Sequence, residues 1–189
     1  MFDDDFDSDD FSTDDLRSER DAYKKMPIYI KAMQLCEFGH SFAAFLESEA
    51  ESKLEGYDLV LAREYAKQIL ENAYIIPAKI AGAEGGGLYD LRMENAALIR
   101  KAARELLTSC GGIRMFDIDA EDYLNSLREE IEAFRIEFVD WVKSFDTSNY
   151  IFDRWGLFNP PGGVGAEAES LLRIKPVHRL ATASQRVGE

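Results

Sequence analysis

Ile76-Pro77-Ala78-Lys79-Ile80-Ala81-Gly82-Ala83-Glu84-Gly85 decides the fold. It closes a run in which Leu59, Ala62, Ala66, Ile69, Ala73, Ile76 and Ile80 recur at spacings of 3-4-3-4-3-4. That rhythm is the seam of a helix laid lengthwise on its neighbours. Three alanines on the seam favour close packing. Pro77 lacks a backbone donor and predicts a kink. Gly85-Gly86-Gly87 predicts the helix end. The stretch Ala83–Gly87 follows a helix, not a strand, and has no Lys-Ser/Thr after it, so it reads as a helix stop and not as a phosphate loop.

The same rhythm extends to both sides. Upstream, Pro27 suits the first turn of a helix, and Ile28, Ala32, Leu35, Gly39, Phe42 and Leu46 follow at 4-3-4-3-4. Cys36, Phe38 and Phe45 widen this seam. Gly39 costs helix propensity and admits a close neighbouring helix. A polar run, Glu47 to Gly56, breaks the apolar pattern, with parts of it still compatible with helix, and the next helix begins near Asp58. Downstream, a third helix is expected over Leu88 to Ser109. Its buried stripe is read as Leu91, Asn95, Leu98, Ala102 and Leu106, flanked by Ile99 and Ala103, with Gly111-Gly112 as the stop. Asp119 is placed to cap a fourth helix, whose seam runs Tyr123 or Leu124, Leu127, Ile131, Phe134, Phe138, Trp141 and Phe145. The expected fold is all-α: an antiparallel up-and-down four-helix bundle with flexible N- and C-terminal tails. Its expected division is an acidic tail over 1–24, the bundle over 25–146, and an aromatic, Pro/Gly-rich and basic C-terminal tail over 147–189.

Ile76-Pro77-Ala78-Lys79-Ile80-Ala81-Gly82-Ala83 resembles the Ile-Pro-Ala-Asn-Ile-Ala-Glu-Gly pattern at the end of helix two in a small four-helix-bundle family. That family includes the proteins encoded in intervening sequences of bacterial large-subunit ribosomal RNA genes and the accessory variability determinant of diversity-generating retroelements. Pro27-Ile28-Tyr29-Ile30-Lys31-Ala32-Met33-Gln34-Leu35 is similar to the family's tyrosine–lysine–alanine–leucine opening. The resemblance covers about residues 26–146. It implies a non-enzymatic bundle and a homo-oligomer, a pentamer in the retroelement members. It also implies binding to nucleic acid and a reverse transcriptase. Where the family often carries Arg-Arg before the motif, this chain has Leu70 and Glu71. Lys79, Gly82 and Ala83 replace the family's Asn, Glu and Gly.

The chain has 189 residues, 46% of them hydrophobic, enough for one domain with a real core. Its net charge is −14, and half of this lies in residues 1–20, where Asp and Ser are interrupted by Phe2, Phe6 and Phe11. Like charges at this density repel, so a solvating tail is expected; the alternative is an acidic-aromatic segment that docks on a basic partner. An acidic chain is a poor general binder of phosphate backbones. Arg173, Lys175, Arg179 and Arg186 make the other end basic. The two cysteines, Cys36 and Cys110, sit in apolar-periodic stretches and read as reduced thiols. The start Met1-Phe2-Asp3-Asp4-Asp5 is unlike a signal peptide, and no apolar run approaches a membrane span. The expected location is the cytoplasm.

Catalytic motifs are weak. Glu37-x-x-His40 has di-iron spacing, but a bundle site needs a second such pair. Cys36 and His40 at i, i+4 would need Cys110 and His178 to complete a zinc set. Arg173-x-x-x-x-His178 resembles the catalytic motif of helical-bundle ribonucleases of the nucleotide-binding-partner type, with Pro176 interrupting it. Glu121, Asp122, Glu129, Glu130, Glu132, Glu137 and Asp140 read as a solvated face of the fourth helix. No cofactor or metal is expected. The leading expectation is an oligomeric scaffold or adaptor working through protein contacts, with the charged tails and the aromatic segment Ile151–Phe158, which the breakers Asn159–Gly165 follow, open to a protein partner, and with Phe38, Phe45, Tyr65 and Tyr74 at the interface between copies. The second is a nucleic-acid-binding accessory protein of a reverse-transcriptase system, using Lys79, Arg92, Arg100, Lys101 and Arg104. Last stands a ribonuclease using Arg173 and His178.

Overall fold

A computed structural model describes residues 21–162. Four helices form an antiparallel up-and-down bundle: α1 (Pro27–Lys53), α2 (Gly56–Glu84), α3 (Tyr89–Ile113) and α4 (Glu121–Lys143). A 3₁₀ turn, Ala22–Lys25, precedes α1, and the Tyr23 ring meets Tyr29 edge-on at 4.9 Å. The remainder of the acidic tail, and the C-terminal region from residue 163, lie outside the described residues. Among the described residues no helix is long and apolar enough to cross a membrane.

The seams of α1 and α2 are buried as expected. Ile28, Ala32, Leu35, Gly39, Phe42 and Leu46 face Ala62, Ala66, Ile69, Ala73, Ile76 and Ile80. At the point of closest approach a Cβ on Gly39 would stand 2.7 Å from the Cβ of Ala73, so only hydrogen fits there. Helix α1 does not stop at the polar run. It continues to Lys53, because Ala50 is still fully buried and Glu49 pairs with Lys53 one turn on. Helix α2 continues through Pro77 to Glu84, and Gly87 takes φ +65° in the turn that follows.

Three expectations for α3 and α4 need correction. The buried stripe of α3 is Tyr89, Ala96, Ile99, Ala102, Leu106, Cys110 and Ile113, whereas Leu91 and Leu98 are exposed. Two heptad seams run side by side on this helix and share Ala102 and Leu106; Ile99, Cys110 and Ile113 decide between them by giving the inner one more apolar area to bury. Asn95 is half-buried and its amide donates to the Leu91 carbonyl of its own helix. Gly111-Gly112 does not end the helix. The Tyr65 phenol lies over Gly112 where any side chain would collide, so this glycine serves helix packing. Nor does Asp119 cap α4: Ala120 holds the N-cap position, with no side-chain bond.

Helix α4 packs mainly on α1 and only lightly on α3. Its seam is built from large rings where that of α2 is built partly from alanines. Tyr123 stacks on Phe45 at 4.4 Å and on Phe42 at 5.3 Å, and Phe38 joins at 6.0 Å. Lys31 of α1 pairs with Glu130 at 3.0 Å across the same seam.

Candidate functional site

The chain beyond α4 folds back on the start of α3. Tyr89 N–H donates to the Asn149 carbonyl at 2.7 Å, the Asn149 amide donates to the Gly87 carbonyl at 3.1 Å, and Ile151 N–H donates to Asp90 Oδ1 at 2.9 Å. The segment over 151–162 then forms a compact loop built around one carboxylate. Asp153 Oδ1 accepts from Trp155 N–H at 2.8 Å, and its Oδ2 accepts from Leu157 N–H at 2.7 Å and Phe158 N–H at 3.0 Å. Asn159 closes the loop with two further bonds: its Oδ1 accepts from Asp153 N–H and its amide donates to the Asp153 carbonyl, each at 2.9 Å. Gly156 sits at φ +70°, which a side chain would resist. The N–H groups of Trp155, Phe158 and Leu157 hold the Asp153 carboxyl below its ordinary value by stabilising the anion.

This fastening orders the backbone and leaves large apolar groups outside. Trp155 is 88% exposed, Leu157 72% and Ile151 62%. Phe152, Phe158 and Pro160 turn inward, and the loop shares a shallow recess of about 460 Å³ with Asp90 and Glu94. A rigid loop that carries an exposed tryptophan suits recognition: Trp supplies large contact area with few torsions to freeze.

A second feature joins three helix ends. Glu84 Oε1 accepts from the Trp141 indole N–H at 2.8 Å, and Glu84 Oε2 pairs with Arg92 at 2.6 Å. The Arg92 guanidinium lies 5.3 Å from the Phe145 ring centroid. The sequence reading missed this node. Its signal was Arg92 standing three residues after Tyr89 and four before Ala96, on the true seam of α3.

In comparisons with known proteins, no family model, curated protein or solved structure gives a significant match to the chain.

The five basic residues singled out from sequence do not act as a group. Arg92 is held by Glu84, and Lys101 pairs with Glu105 at 3.4 Å. Lys79 is half-buried on α2. Arg100 and Arg104 share one turn of α3, exposed and without a carboxylate partner among the described residues. Of the four interface candidates, Phe38, Phe45 and Tyr65 pack against the chain's own core, and Tyr74 is exposed. Glu37 and His40 are exposed on α1, while Cys36 is buried. Among the described residues no group of three or more His, Cys, Asp or Glu is close enough to hold a metal ion. Arg173 and His178 lie outside the described residues.

Proposed function

We propose that the chain is a non-enzymatic, oligomeric helical scaffold or adaptor that works through protein contacts. The single observation that most supports this is the Asp153-fastened loop, which turns Trp155, Leu157 and Ile151 to solvent while the Asp153 carboxylate holds three of its backbone N–H groups. Burying such side chains against a partner gains about 25 cal/mol per Å² of apolar area, and an ordered loop has little further entropy to lose. The resemblance at Ile76–Ala83 supports an oligomer and suggests five copies. Buried Cys36 and Cys110 fit a reducing cytoplasm.

The nucleic-acid reading has less support. The charge of −14 opposes phosphate, and two of the five candidate cations are already neutralised by Glu84 and Glu105. Size-exclusion chromatography with light scattering, run with and without structured RNA and single-stranded DNA at low salt, separates the two. A defined oligomer unchanged by nucleic acid is the expected result. A complex that forms at low salt and dissolves as salt rises would replace this reading with the accessory-protein one.

A further inference from the structure

The loop and one groove of the bundle are complementary. Between the first turns of α1 and the second half of α4 lies an open apolar groove of about 430 Å³. Ile30, 48% exposed, and Ile136, 54% exposed, form its walls with Pro27 and Ala133; Gln34, Glu137 and Lys31, the last already paired with Glu130, complete the lining. Single exposed isoleucines are ordinary, but here two from neighbouring helices line one groove and make a contiguous apolar patch. No residue of the 151–162 loop lines this groove within its own chain. The loop has Arg154 next to Trp155; the groove has Glu137 next to Ile136. Among the described residues neither Arg154 nor Glu137 has an ion-pair partner.

We propose that Trp155 of one copy inserts into the α1–α4 groove of a second copy of this chain, with Arg154 meeting Glu137 at the rim. The inference rests on the scaffold reading and names its contact. Apolar ring against apolar walls supplies the affinity, and the one charge pair at the edge sets orientation. Because the loop and the groove are different surfaces, the contact is heterologous, and it closes either as a reciprocal pair or as a ring.

Two variants of the full chain test it. Trp155→Ala removes the inserted group and keeps the groove; Ile136→Glu spoils the groove and keeps the loop. Both positions are exposed, so both variants keep the helical circular dichroism of the parent. Sedimentation equilibrium should show the parent as an oligomer and each variant associating at least about 30-fold more weakly. Mixing the two variants should then restore a one-to-one pair, since one still offers a loop and the other a groove. A parent oligomer that survives both substitutions, or variants that dissociate and do not pair on mixing, would overturn this contact and leave the scaffold reading standing. A monomeric parent would overturn both.

Discussion

At the scale of single residues, glycine separates packing from propensity. Gly39, Gly111 and Gly112 all lie inside helices, where alanine is intrinsically better by about 1 kcal/mol. Gly111→Ala meets nothing within 4 Å, so it should stabilise the protein by about 0.5–1 kcal/mol. Gly39→Ala places a methyl 2.7 Å from Ala73 Cβ, with helix backbone behind it. Overpacking of about 1–3 kcal/mol outweighs the propensity gain, and the net should be a loss of about 1–2 kcal/mol. Urea midpoints at unchanged m-value read both signs, and equal effects at the two sites would defeat the packing argument. The cysteines give a second residue-scale prediction. Burial pushes both thiols up, with Glu37 adding to the effect at Cys36. Neither should react with an aromatic disulfide reagent until the protein unfolds, when both are released together.

At the scale of elements, most of the helical pattern was legible, and the parts that were not share a cause. The seams of α1, α2 and α4 could be read because each helix has one dominant apolar stripe. Helix α3 has two overlapping stripes that share Ala102 and Leu106, and local spacing cannot say which one faces the neighbours; Ile99 goes into the core, and Tyr65 from α2 lies over Gly112 on the same side. The 151–162 loop was seen as an aromatic stretch followed by breakers, but a carboxylate that gathers three N–H groups has no periodic signature. This loop carries a pH prediction. Its folded-state Asp153 is more acidic than an ordinary aspartate, so its contribution is complete above the ordinary carboxylate value and is lost as pH falls through the lowered one. The amide signals of Trp155, Leu157 and Phe158 should therefore hold their native positions through the ordinary aspartate range and move together only at lower pH. Asp153→Asn, which keeps one acceptor oxygen and adds an amide that cannot accept, should release these amides at neutral pH and leave the bundle helices intact.

For the whole molecule, the bundle is held together at one end by Glu84, Arg92 and Trp141, which tie the last turn of α2, the first of α3 and the end of α4. The same end carries the loop through Asn149 on Gly87 and Tyr89. Loss of Glu84 strands two donors in a largely enclosed site, so Glu84→Ala should cost about 2–4 kcal/mol and should also loosen the loop. If the folded chain associates through that loop, its thermal stability depends on concentration, because assembly draws only on the folded state. Raising the concentration about 100-fold above the dissociation constant adds about 2.7 kcal/mol of stability, and a chain of this size gains roughly 2–4 °C per kcal/mol. The melting temperature of the parent should therefore climb by roughly 5–10 °C over that range. Trp155→Ala should start from the same temperature as the dilute parent and climb by at most about a third as much over the same range. A parent whose melting temperature ignores concentration would show that the exposed tryptophan is not spent on a second copy, and would overturn the contact proposed for it.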